Sequence, residues 1–224
     1  MKAVTTFPAW GWDVYARYCV DSWLQSWPGS VLAYYEGDAP PASVTGVEFR
    51  PLSDVAGRAE FLDIELPEPS SFLFDAKRFC HKVFTQLDAM ASGEPFWWID
   101  ADVEMLRPIP AELIDDLTDR DFVAFLGRTS YTETGVIAFN PDKPGFNDFR
   151  NAYTAAYAAP FNHDGILRRP YWTDCHAFDY ARNGGGYNMT PDGRGFDNVM
   201  RSSPLGTYME HHKGNLKLRL EEQV

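Results

Sequence analysis

Three features of this 224-residue sequence predict an α/β fold with a mostly parallel central sheet and helices on both faces. Strand and helix patterns alternate through the first hundred residues, the strand patterns are short apolar runs, and no internal repeat or low-complexity tract interrupts them. Strands covered by helices on both faces must be apolar throughout, whereas half-solvated strands alternate with polar residues. A hydrophobic content of 45%, with 15% aromatic residues, supplies the core of one compact domain over residues 1–224.

The elements follow in order. Ala3 to Phe7 is a short buried strand, and Asp13 to Trp27 has helical spacing, with Val14, Tyr18 and Cys19 on one face and Pro28-Gly29 as its stop. Val31 to Tyr35 and Val47 to Pro51 are the next strands. Phe72 to Met90 is helical through Phe79, Val83, Phe84 and Leu87, ending at Ser92-Gly93, and Phe96 to Ile99 is a bulky apolar strand. Strands over Phe122 to Leu126 and Val136 to Phe139 come next, with helices over Phe146 to Tyr157 and Asp174 to Arg182. Ala39-Pro40-Pro41-Ala42-Ser43 is too short to separate domains, and Gly184-Gly185-Gly186 with Pro191-Asp192-Gly193 reads as a loop able to close over a ligand.

The net charge of -12 opposes binding to a polyanion, but it is unevenly spread. Residues 1–125 carry 9 Lys and Arg against 21 Asp and Glu, while residues 126–224 carry 11 of each, so the second part is neutral and arginine-bearing. Cys19, Cys80 and Cys175 are odd in number, far apart and without a CxxC pair, which argues against a disulfide framework or a structural zinc site. Reduced thiols, no long apolar segment at the start and no run of ~18 apolar residues make a cytoplasmic protein without an integral membrane segment the expectation.

Asp100-Ala101-Asp102 ends the apolar run Phe96-Trp97-Trp98-Ile99. Residues two apart on an extended chain project to the same side, so both carboxylates are expected to face one point while small Ala101 turns away. Magnesium and manganese in phosphate-handling enzymes are commonly held by one or two carboxylates, with water and substrate phosphates completing the shell. An isolated Asp-x-Asp also serves as a solvated turn or helix cap; the buried strand before this one favours a cation site.

In these residues the chain resembles the GT-A glycosyltransferases, whose signature is an Asp-x-Asp at the end of a buried strand, here Trp98-Ile99-Asp100-Ala101-Asp102. Retaining members of the galactosyltransferase and glycogenin-like group also end with a His-x-x-Gly-x-x-Lys motif, matched by His211-His212-Lys213-Gly214-Asn215-Leu216-Lys217. The resemblance implies a GT-A-like single domain, with residues 1–125 binding the nucleotide sugar and residues 126–224 holding the acceptor and a metal-binding tail. It implies a Mn2+ or Mg2+ site on Asp100, Asp102 and His211. Gly214 and Lys217 would approach the donor diphosphate, beside Asp100 and Ala101, and Thr5, Thr6 and Phe7 would meet the base and ribose. Lys77 and Arg78 stand where the family has a sugar- and phosphate-contacting basic residue, and Gly135 closes the counterpart of an Asn-small-Gly turn, with Glu133 in place of the asparagine. The family's Asp-Gln-Asp is altered to Asp174-Cys175-His176, which leaves the stereochemical course open.

The implied reaction moves a sugar from a nucleoside-diphosphate donor, UDP first among them, to an acceptor hydroxyl of a glycan, a lipid-linked sugar or a modified nucleic acid. Asp174, Glu133 and Asp164, in that order, are the candidate carboxylates to take up the acceptor's proton. Two other classes compete. A nucleotidyltransferase needs a basic, Gly-rich loop after its first strand, and Pro8-Ala9-Trp10-Gly11-Trp12 has no basic residue. A non-catalytic nucleotide- or sugar-binding module would use Trp10, Trp12, Tyr171 and Trp172 to stack on sugar rings.

Overall fold

The computed structural model describes residues 1–37, 39–41, 44–190 and 199–213. The chain opens with β1 (Lys2–Phe7), turns through a wide helical segment at Trp12–Ala16 into α1 (Arg17–Ser26), and returns as β2 (Ser30–Tyr35) and β3 (Val47–Pro51). Next come α2 (Arg58–Leu62), α3 (Ala76–Met90), β4 (Phe96–Ile99), β5 (Val103–Met105) and α4 (Ala111–Asp119). The remainder holds β6 (Val123–Leu126), β7 (Glu133–Phe139), α5 (Phe146–Ala158), α6 (Asp174–Arg182), β8 (Tyr187–Asn188) and β9 (Met209–His211).

The main sheet has the order β3-β2-β1-β4-β7-β6-β8. It is parallel from β3 through β4, as expected, and then reverses: β7 runs antiparallel to both β4 and β6. Alternation along each strand feeds two cores. From β4, Trp97 and Ile99 join α1 and α4 on one face, while Phe96 and Trp98 join α3, α5 and α6 on the other. Trp97 and Trp98 are 0% and 1% exposed, and burying such a ring stabilises by ~3 kcal/mol or more. The continuous apolar run before the acidic triplet is therefore a central strand covered on both sides.

Helix boundaries differ from the sequence pattern where polar side chains take over. The run Phe72 to Met90 is not one helix: Phe72–Phe74 is a single 3₁₀ turn, and the Asp75 side chain then accepts from the Arg78 N–H at 3.1 Å to cap α3. The helix over Asp13 to Trp27 begins with a wide turn in which the Arg17 N–H reaches the Trp12 carbonyl. Trp12 is thereby buried, with its ring 5.2 Å from Phe7 and 5.5 Å from Phe49. It is core and not a sugar platform. α6 has the bounds expected, with the Thr173 side chain as its cap, so that Asp174 as the first helical residue keeps its carboxylate for other partners.

A second, two-stranded sheet joins β5 to β9 in antiparallel register, Val103 opposite His211 and Met105 opposite Met209. The buried Trp23 indole on α1 donates to the Val103 carbonyl at 2.6 Å, and Ser22 Oγ accepts from the Met105 N–H at 2.9 Å. Residues more than a hundred positions apart thus meet directly after the acidic triplet.

Candidate active site

A cleft of about 810 Å³ opens at the carboxyl ends of β1 and β4 and the amino end of β7, where a doubly covered sheet places its ligands. Asp100 leaves β4 with its N–H held by the Gly135 carbonyl of β7 at 2.8 Å. Asp100 and Asp102 are not on an extended chain. The Val103 N–H bonds the Asp100 carbonyl at 2.9 Å, so the triplet is a turn, because β5 must leave the main sheet to meet β9. The turn and the β9 register achieve the convergence that simple alternation was expected to give. Ala101, 4% exposed, packs into the core beneath it.

His211 ends β9 with Nε2 3.1 Å from Asp102 Oδ1, and the His212 N–H holds the Asp102 carbonyl at 2.9 Å. One ligand atom from each of Asp100, Asp102 and His211 lies within 4.8 Å of the others. Two carboxylates with one imidazole form a donor set that a divalent cation can take. The residues present therefore fit the cation that the resemblance implies. Gly135 closes the site: a Cβ there would lie 2.5 Å from His211 Cε1 and 2.8 Å from Nδ1.

Lys82, on α3, organises the floor. Its Nζ lies 2.8 Å from Asp100 Oδ1, 3.0 Å from Asp174 Oδ2 and 3.2 Å from Thr134 Oγ1. Burial opposes its charge, but Asp100 and Asp174 outweigh burial and hold the ammonium above its usual range. Asp174 is 3% exposed and also accepts from Thr134 Oγ1 at 2.6 Å. Burial would raise its pKa; Lys82 and the Thr134 hydroxyl overcome that and leave it below the ordinary carboxylate value. Beside it, burial and the Asp174 charge push the Cys175 thiol up to about 12, so it is no nucleophile at neutral pH.

Glu133, at the opposite wall, contacts Arg128 and Lys213 and stands 3.7 Å from His211 Nδ1. Burial and the neighbouring Arg128 guanidinium push the Lys213 ammonium down to about 8. Thr6 and Phe7 line the cleft near Pro8, Glu36 and the 64%-exposed Trp10, whereas Thr5 is wholly buried within β1. Arg78 is exposed on the cleft, but Lys77 turns away to the Leu62 carbonyl at 2.6 Å. Asp164 is exposed and outside the cleft lining, bonded to the Tyr180 hydroxyl at 2.6 Å. Gly214 and Lys217 lie outside the described residues, as do Pro191-Asp192-Gly193.

Lys82, Thr134 and Arg128 were not anticipated. Lys82 is one helical turn beyond Arg78 and so shares its face, a usable signal. Nothing local marked the other two.

Strand order, the acidic turn after β4 and the closing β5–β9 ribbon define the GT-A fold of glycosyltransferases. Among solved structures, an active-site mutant of LgtC superposes with a TM-score of 0.56 at 12% identity, over 96% of this chain and 88% of LgtC. Mouse xyloside xylosyltransferase 1 gives 0.52 at 11% identity, over 96% of this chain and 99% of that one. The bifunctional glycosyltransferase WbbM gives 0.57 at 10% identity, over 96% of this chain but only 46% of WbbM. No protein-family model and no curated protein matches the sequence. Among the described residues no helix is long and apolar enough to cross a membrane.

Proposed function

We propose that this chain is a glycosyltransferase that moves a sugar from a nucleoside-diphosphate donor, UDP-linked, to an acceptor hydroxyl, with Mn2+ held by Asp100, Asp102 and His211. The observation that carries the proposal is the convergence of those three side chains on the wall of a cleft beyond β4. When bound, the cation offsets charge on the departing diphosphate. The chain's own groups do the rest. Thr6, Phe7 and Trp10 offer a half-apolar wall for the base and ribose at one end of the cleft. Arg78 and Lys213 supply positive charge along it, and Lys82 keeps Asp174 ionised against the reacting sugar. Asp174 is the carboxylate best placed to stabilise positive character at the anomeric carbon, because Glu133 is already engaged by two cations and Asp164 stands outside the cleft.

Residues 1–125 then form the donor side, and residues 126–224 form the acceptor side and complete the cation site. The nucleotidyltransferase alternative gains nothing: the loop after β1 is aromatic and has no basic residue. Calorimetry tests the proposal. UDP should bind in the presence of Mn2+, and chelation or Asp102→Ala should weaken binding at least tenfold. Equal binding with and without the ion, in both proteins, would remove the cation from the mechanism. Release of sugar from a UDP-sugar panel then separates an enzyme from a binding module.

A further inference from the structure

One cation in the cleft wall has no part in the donor chemistry above. Arg128 lies between β6 and β7, and its side chain is only 7% exposed. It rests against Glu133, its Cζ stands 5.4 Å from the centroid of the Tyr131 ring, and Nε makes no hydrogen bond to any described residue. A guanidinium carries five N–H donors in a rigid fork, and burying one with donors unused is unfavourable unless an acceptor arrives. Glu133 does not balance it, since Lys213 contacts the same carboxylate oxygen. Two cations share one carboxylate, and Nε of Arg128 is left without an acceptor among the described residues.

The surroundings indicate where the missing anion comes from. Asp100, Asp102, His211 and Lys213 line the main cleft alone. Arg128 and Tyr131 line both that cleft and an adjoining cavity of about 400 Å³, whose wall also includes Thr129, Ser130, Thr132 and Asp179, with the Thr132 hydroxyl donated to Asp179 at 2.5 Å. Arg128 thus stands at the junction of the two cavities, separated from His211 by Glu133, with an aromatic ring beside it and hydroxyl-bearing residues beyond. That set of groups is what a sugar bearing a negative charge requires: a ring to stack on, hydroxyl partners and a fork for an oxyanion.

We infer that Arg128 anchors a carboxylate or phosphate on the acceptor sugar, which enters through the adjoining cavity. The inference rests on the transfer assignment above and gives its acceptor a chemical class. The probes are p-nitrophenyl β-D-glucuronide, the 6-phosphate of p-nitrophenyl β-D-glucoside, and the neutral glucoside, titrated by ligand-observed NMR with Mn2+ and UDP present. At least one anionic glycoside should bind tenfold or more tightly than the neutral one, and which anion does so names the source. Arg128→Gln should erase the preference, and Arg128→Lys should keep part of it. Equal affinities, no binding of any glycoside, or a preference that survives Arg128→Gln in a folded protein would overturn the inference. The wild-type comparison needs no variant, so a misfolded substitution leaves it decided. Mn2+-dependent UDP binding in the same sample separates the two claims: its absence defeats the transfer assignment, whereas its presence without an anion preference defeats only the role of Arg128.

Discussion

Replacing Lys82 by methionine removes the ammonium while keeping most of the stem volume. Lys82 lies 2.8 Å from Asp100 and 3.0 Å from Asp174, with side-chain exposures of 13%, 26% and 5% respectively. Asp100 keeps the Trp98 indole N–H at 2.7 Å and faces solvent in part, so it tolerates the loss. Asp174 keeps the Thr134 hydroxyl and the Cys175 backbone N–H but no cation, and is left as a buried charge without a counter-charge. Removing one partner of such a pair costs about 3–5 kcal/mol, and the partial exposure of Lys82 points to the lower end. For a chain of this size, ~3 kcal/mol lowers Tm by roughly 6–12 °C.

The pH dependence carries its own sign. In the wild type the Asp174 pKa is depressed, so its contribution to stability is present above the unfolded carboxylate value and is lost as pH falls through the folded one. In Lys82→Met burial, the largest single influence, is opposed only by neutral hydrogen-bond donors, so the folded pKa rises and the variant loses stability as pH rises through that value. The gap between the proteins is therefore widest at pH 7 and narrows towards pH 4. Urea unfolding at pH 7 and pH 5 measures it, and adding Asp174→Asn to the variant should recover stability to within ~1 kcal/mol of wild type. A loss under ~1 kcal/mol at pH 7, or the same loss at both pH values, would show that water screens the pair and refute the reasoning.

Two further substitutions act on the cation site through packing. Gly135→Ala drives a methyl to 2.5 Å from His211 Cε1, so the imidazole must swing off Asp102; Mn2+-supported UDP binding should weaken tenfold or more in calorimetry, and unchanged affinity would mean that His211 is not a ligand. Trp23→Phe leaves a gap in the core and strips the Val103 carbonyl of its 2.6 Å donor, at a cost of ~2–4 kcal/mol read as a lower urea midpoint; a cost under 1 kcal/mol would show that β5 finds another partner.

The parallel half of the sheet was legible because apolar runs and helical spacing are local properties. Asp100, Asp102 and His211 were legible through their motifs, although the geometry that unites them was not. Local pattern says nothing about a pairing across 108 positions, so the β5–β9 ribbon and the turn it forces on the triplet went unread. The reversed direction of β7 is equally silent, since a strand buried on both faces looks the same in either sense. Lys77 and Lys82 illustrate a finer limit. Both are basic residues on α3, and only the packing of the helix decides that one meets the Leu62 carbonyl and the other the two aspartates. Asp164 had the right chemistry but lies on the surface, and Trp12 had a solvent-prone neighbourhood but turned inward, again for reasons of packing.

The antiparallel course of β7 has a consequence for how such a chain diversifies. Because β6 and β7 form a hairpin, the connection at residues 127–132 both begins and ends at the cleft, whereas a parallel pair such as β1 and β2 is joined from the far side, there through α1. Insertions or substitutions there alter what the cleft accepts while leaving β1, β4 and the acidic turn in register. Under the proposed transfer function, six residues outside the strands are then enough to retune which recipient is accepted, without rebuilding the sheet that carries them.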